Sequence, residues 1–159
     1  MSDFTHIDSE GHVRMVDVSG KSPTLRTATA IGMIVMKHAT LEMIRNQTVK
    51  KGNVLETARI AGIMAAKRTS DLIPMCHPLN IRHARIDFVM DQELCSIQIE
   101  ASVRVTDQTG VEMEALTAVS VAALTIYDMC KSYDREMMIS GICVFEKSGG
   151  KSGTFVRSV

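Results

Sequence analysis

Polar and apolar residues alternate from Thr24 to Met36, with Ile31, Met33 and Val35 on one side, and a period of two predicts a β-strand. Ala39 to Asn46 is a short helix candidate. A clearer helix opens at Asn53, where Asn53 and Glu56 have the spacing of a capping box and Val54, Ala58, Ala61 and Ala65 follow at helical intervals. Lys67 and Arg68 fall in its last turn, where the helix dipole favours cations. Ile81 to Met90 and Ile97 to Val105 alternate again on either side of Asp91-Gln-Glu93. In the second run Ile97, Ile99, Ala101, Val103 and Val105 point one way, while Gln98, Glu100, Ser102 and Arg104 point the other. The two runs predict an antiparallel hairpin with one face on the core. Charge then vanishes between Glu114 and Asp128. The thirteen uncharged residues Ala115 to Tyr127, with no Gly or Pro among them, predict one long helix, apolar nearly all round and so buried. Met137 to Glu146 is a final strand, and Lys147-Ser-Gly-Gly-Lys-Ser-Gly153 is too rich in glycine to hold a regular form alone.

The order strand, helix pair, strand, strand, helix, strand is a split β-α-β pattern. It predicts an α+β, ferredoxin-like antiparallel sheet with helices packed on one face. The other face is left for water or a partner subunit. No internal repeat interrupts residues 1–159, which read as a single domain. Residues 1–22 form a loosely ordered arm with a short apolar patch around Val13 to Val18, and residues 147–159 form a flexible tail.

A chain of 159 residues is long enough to bury a real core. Its eighteen basic and eighteen acidic residues cancel, so no global field recruits nucleic acid or an anionic membrane. An anionic ligand needs a local cluster of Lys and Arg instead. Four Phe, two Tyr and no Trp leave little for stacking bases. Met1 to Asp8 lacks the basic and apolar regions of a signal peptide, and the uncharged run is shorter than the ~20 residues that span a bilayer. A cytoplasmic protein with neither nucleic acid nor membrane as partner is expected. Cys76, Cys95, Cys130 and Cys143 form no Cys-x-x-Cys pair, so reduced thiols in or near the core are expected.

Candidate chemistry gathers at the ends of the uncharged helix. Thr109 and Glu112 fit a capping box, which explains Glu112 without a ligand. Glu114, beside Met113, has no such role and suits a ligand or a subunit contact. Asp128 faces the unfavourable end of the helix dipole, and its neighbours Tyr127, Met129 and Cys130 are expected to desolvate it and raise its pKa. Lys131, three residues on, offsets part of that penalty, and Asp128 reads as an acid-base candidate or, alternatively, as half of a plain surface ion pair. In Asp71-Leu-Ile-Pro-Met-Cys-His-Pro-Leu79 the prolines push Ile73 and His77 toward extended geometry. His77 is thereby held in a stiff loop, as a proton-transfer group or a hydrogen-bonded core histidine. A zinc site on Cys76 and His77 is not expected, since no second pair stands at finger-like spacing. Gly150-Lys151-Ser152 is no P-loop, because the position needing the first Gly is Phe145 and no helix can follow. It reads as a cationic flap or a disordered end, and Lys50-Lys51-Gly52 as a basic turn before a helix start or a solvated loop.

Three segments carry a resemblance: Ala66 to Leu79, Thr109 to Lys131, and Lys147 to Gly153. Together they resemble the cyclic pyranopterin monophosphate synthase family of early molybdenum cofactor biosynthesis, with Met75 standing where the family usually has Leu. The resemblance implies a ferredoxin-like fold in a homohexamer, a trimer of dimers. It implies a lyase that converts a cyclised dihydro-GTP, made by an upstream radical enzyme, into cyclic pyranopterin monophosphate with release of pyrophosphate and no cofactor. On matching positions it gives Asp128, Lys51, Lys131 and His77 catalytic roles. Met75, Cys76, His77, Glu112, Met113, Glu114 and Lys147 become substrate contacts. The alternative is a non-catalytic oligomeric module that binds a nucleotide.

Helix geometry adds an expectation of its own. Fourteen residues separate Glu114 from Asp128, so on one helix they stand roughly 21 Å apart. Serving one nucleotide, they must come from different subunits, with two such helices antiparallel about a two-fold axis. On this picture Lys51 and Asp128 are also expected to come from different chains.

Overall fold

The computed structural model describes residues 10–12 and 15–158. The signal-peptide reading of Met1 to Asp8, most of the amino-terminal arm, and Val13 and Arg14 of the apolar patch lie outside them. In chain order the elements are β1 (Thr24–Val35), α1 (His38–Arg45), α2 (Val54–Lys67), α3 (Thr69–Leu72), β2 (His83–Asp91), β3 (Ser96–Asp107), α4 (Glu112–Cys130), β4 (Met138–Ser148) and β5 (Phe155–Val156). The strands form one antiparallel sheet in the order β2-β3-β1-β4-β5. Its four long strands have the 4-1-3-2 order of the ferredoxin-like split β-α-β fold, as the pattern predicted.

Asn53 caps α2 as its spacing suggested: its Oδ1 accepts the Glu56 amide at 3.1 Å. The α1 start is capped from a distance. Asp134, almost fully buried, accepts the Lys37 amide at 2.7 Å and the Glu136 amide at 3.1 Å. Burial alone would raise its pKa, but those two amides, with Lys37 and Thr40, hold it below the ordinary value.

The sheet buries its even-numbered β1 residues. Ala28, Ala30, Gly32 and Ile34 face the helices, whereas Ile31, Met33 and Val35 lie half-buried on the open face. Small residues win the helix side because α4 runs so close: a Cβ at Gly32 would stand 2.6 Å from Val119 Cγ1. α4 lies across β1, β3 and β4, and α2 lies beside it over β2. Ala115, Ala118, Ala122, Ala123 and Ile126 of α4 join Ile97, Ile99, Ala101, Val103 and Val105 of β3 in one core. By length and composition α4 could cross a membrane, but half of its most apolar stretch is buried inside this fold.

The carboxyl segment departs from the flexible tail expected of it. β4 continues through Lys147 and Ser148, and Gly149, Gly150 and Gly153 then take φ of 96°, 74° and 66°. Those left-handed positions turn the chain back, so that Phe155 and Val156 pair with Lys147 and Glu146. The glycines read as a cationic flap or a disordered end form the turn of a two-stranded return.

At Gly62 the close contact between α2 and α4 is a requirement. A Cβ there would lie 2.9 Å from the Ala118 carbonyl oxygen, a backbone atom that cannot move aside cheaply, and would also strike Ile86. Gly62→Ala is therefore expected to destabilise the fold by about 1–3 kcal/mol, despite the better helix propensity of Ala. A urea midpoint at or above that of the parent would show that α2 can slide away.

Candidate functional site

The two ends of α4 carry two clusters. At its amino end a cavity of about 370 Å³ is lined by Met75, Cys76, His77 and Leu79 from the proline loop, and by Thr109, Gly110, Glu112, Met113 and Glu114. Val16, Val18 and Lys21 close its remaining side. The loop takes this shape for the reason its prolines suggest: Ile73 is extended (φ −110°, ψ 107°) ahead of Pro74, and the Cys76 amide then donates to the Ile73 carbonyl at 3.1 Å. His77 Nε2 lies 2.9 Å from the Val16 carbonyl oxygen.

Glu112 does not form the expected capping box. α4 starts at Glu112 itself, its N-cap Val111 makes no side-chain cap bond, and Thr109 lies too far back to serve. The Glu112 carboxylate instead faces Lys147, Nζ to Oε1 3.8 Å. That lysine is brought in from the end of β4 and also bonds the Ser152 hydroxyl. Glu114 is the unusual group of this end. Its residue exposure is 3%, and among the described residues no Lys, Arg or His pairs with it. Burial pushes its pKa from 4.5 up to about 7, with Glu112 adding to the rise and its own backbone amide opposing it. Burial, and then the nearby Glu114, also raise the Cys76 thiol.

At the carboxyl end Asp128 is held between two lysines. Lys51 Nζ donates to the Asp128 carbonyl oxygen at 2.7 Å and to Oδ2 at 3.1 Å, and Lys131 Nζ reaches Oδ1 at 2.7 Å. These three side chains are about half exposed. Asp128 therefore reverses its expectation. The turn after Cys130 leaves it in solvent, and the hydrogen bonds from Lys131 and then Lys51 lower its pKa instead of raising it. The Lys131 pKa moves up in turn, through the bond to Asp128. A second correction follows: Lys51 and Asp128 are paired within one chain. The turn after α1 carries Lys51 to the end of α4, a contact between residues 77 apart that local pattern does not encode.

Sequence reasoning missed Val16, Val18 and Lys21, and a neighbouring cavity of about 410 Å³ that shares Lys21 with Ser22, Thr24, Arg26, Gly150 and Lys151. The Arg26 guanidinium is fixed there by the Asp107 and Gln108 carbonyls, each at 3.0 Å. Isolated cations around Pro23 carry no motif, and only the return of the carboxyl segment brings Lys151 to them. Among the described residues no three His, Cys, Asp or Glu side chains are grouped to hold a metal ion.

Fold and site together define a ferredoxin-like α+β protein whose central helix separates an acidic, partly apolar cavity from a cationic cluster. The chain belongs to the MoaC family, whose profile matches residues 15–150. It is 65% identical over 156 residues to the cyclic pyranopterin monophosphate synthase of Desulforapulum autotrophicum, covering 98% of this chain and 96% of the relative. The proteins of the same name from Desulfatibacillum aliphaticivorans and Roseiflexus sp. are 62% and 59% identical over 157 residues, 99% of each chain in both cases.

Because the folded value of Glu114 lies above the unfolded one, the native chain keeps this proton between about pH 4.5 and 7 while the unfolded chain releases it. Glu114 thus makes the fold less stable as pH rises through that window, and adds no further slope above it. Glu114→Gln is expected to gain in melting temperature over the parent from about pH 5 to pH 7, the gain then levelling off. A difference independent of pH would place the carboxyl's titration outside this range.

Proposed function

We propose that this protein is a cyclic pyranopterin monophosphate synthase, a lyase of molybdenum cofactor biosynthesis. It takes a cyclised dihydro-GTP and releases pyrophosphate. The identity of 65% over nearly the whole chain to a relative of that name carries the reading, and all three resemblance segments lie on the two clusters. The protein works in the cytoplasm, downstream of the radical enzyme that makes its substrate, and requires no cofactor.

The active site is built between subunits. The carboxyl-end cluster, Lys51, Lys131 and Asp128, carries one net positive charge, while Glu112, Glu114 and Lys147 carry one net negative charge when ionised. Two α4 helices antiparallel about a two-fold axis set these opposite clusters side by side. The partly apolar open face of the sheet, with Ile31, Met33, Val89 and Met138, offers further surface for the homohexamer, a trimer of dimers.

Within that site Lys51, Lys131 and Lys147, with Lys21 beside the cavity, hold the triphosphate and steady the departing pyrophosphate. Asp128 keeps the two lysines in place and, already ionised, acts as a base rather than an acid. Glu114 and His77 exchange protons during ring opening and pterin closure, since a carboxyl near pH 7 can serve either way. Met75, Cys76 and Met113 supply the apolar wall against the purine.

Purified protein given the cyclised intermediate is expected to release pyrophosphate, whereas a nucleotide-binding module would bind it unchanged. Asp128→Asn is expected to keep the fold and bind substrate while losing about 10²–10⁴-fold in turnover. Normal turnover by that variant would remove Asp128 from the mechanism.

A further inference from the structure

We infer that the Val16 backbone carbonyl is a positioning group for His77. It holds the imidazole as the Nε2–H tautomer and so reserves Nδ1 as the proton-exchanging nitrogen in the cavity. The chemical role given to Nδ1 rests on the proposed function, but the positioning does not.

A carbonyl oxygen only accepts. At 2.9 Å from it, His77 Nε2 must carry a hydrogen, so the neutral ring keeps its lone pair on Nδ1. Nδ1 has no protein partner among the described residues. Among the described residues the ring therefore has one nitrogen hydrogen-bonded to the chain and one without a hydrogen-bond partner in the cavity it lines, with the Asp17 carboxylate near enough to interact with it electrostatically. This division matches second-sphere control of histidines elsewhere, where the bond at one nitrogen decides which proton the other can take.

The segment that brings Val16 to the ring is braced. The Asp17 carboxylate accepts the Ser19 amide at 2.9 Å, and the Lys21 amide closes a turn onto the Val18 carbonyl at 2.9 Å. That turn delivers Val18 and Lys21 to the same cavity wall as Val16. On the other side Pro78 restricts the backbone of His77. The imidazole is thus fixed from two parts of the chain 61 residues apart, a pairing that neither part announces in sequence. A backbone acceptor also suits the task, because it cannot be titrated and cannot release a proton to the ring.

The test uses the full-length protein with isotope-labelled histidine. A long-range nitrogen–proton spectrum is recorded at about pH 8.5, where imidazoles are neutral. The His77 signal is assigned by its loss in His77→Gln. A pyrrole-type Nε2 with a pyridine-type Nδ1 is the expected result. The Nδ1–H form, or an even mixture of the two, would overturn the assignment. This reading needs no turnover, so its failure is distinguishable from failure of the proposed activity. Two substitutions separate the ring's nitrogens in the assay. His77→Gln puts an amide donor near the place of Nε2 and is expected to keep KM within about 3-fold while kcat falls by about 100-fold or more, the scale of a lost proton-transfer group. His77→Asn reaches only the place of Nδ1, releases the Val16 contact, and is expected to raise KM as well. Equal KM and kcat for the two variants would contradict a role for the Val16 contact.

Discussion

The uncharged α4 helix is the constraint on which the rest of the molecule depends. Nineteen residues long and buried against β1, β3, β4 and α2, it behaves as a rigid spacer. Its middle carries no charged residue, although Leu124 is exposed there, so every charged side chain it carries lies at an end. Its rise sets Glu114 and Asp128 about 21 Å apart, at opposite ends of the core. The small residues of β1 and the glycine at position 62 exist to let this helix approach the sheet and α2 closely. Fold and chemistry are therefore one problem: the helix that completes the core also fixes where the charges stand.

The two ends are electrostatically opposite. At one, solvent and two lysines keep Asp128 ionised and the lysines aligned. At the other, burial with no paired cation among the described residues raises the Glu114 pKa to about 7. A buried carboxylate of this kind is costly to a fold. It lines one cavity with His77 and Cys76, which makes it a functional candidate. One pole thus holds a carboxyl whose pKa lies at about 7, and the other an ionised carboxylate between two lysines.

Much of this was legible in the sequence, and the misses share a cause. Alternation located β1, β2 and β3, the Asn53 cap located α2, and the loss of charge located α4. Which side of β1 faces inward was not legible, because Ile31, Met33 and Val35 are more apolar than the Ala28, Ala30 and Gly32 that a close helix demands. Thr109 and Glu112 had capping-box spacing, but the helix starts later than spacing alone suggests. Asp128 seemed desolvated by its sequence neighbours, yet those side chains point elsewhere and Lys51 arrives from another turn. Val16 at His77, Lys147 at Glu112 and Lys51 at Asp128 are all long-range contacts, and single-chain periodicity is blind to them. The three motifs nevertheless fall at the two poles, where the cavity and the paired lysines lie.

The central claim is that one working site takes its acidic cavity from one chain and its paired lysines from another. Mixing inactive Lys51→Ala with inactive Glu114→Gln tests it most directly, since the structure puts these residues at opposite ends of α4. After verified subunit exchange, half of the dimers pair unlike chains and each of those has one intact site, so roughly a quarter of parental activity should return. Lys51→Ala mixed with Asp128→Asn, both from the same cluster, should recover nothing. An inactive first mixture, or a second mixture that regains activity, would contradict the account.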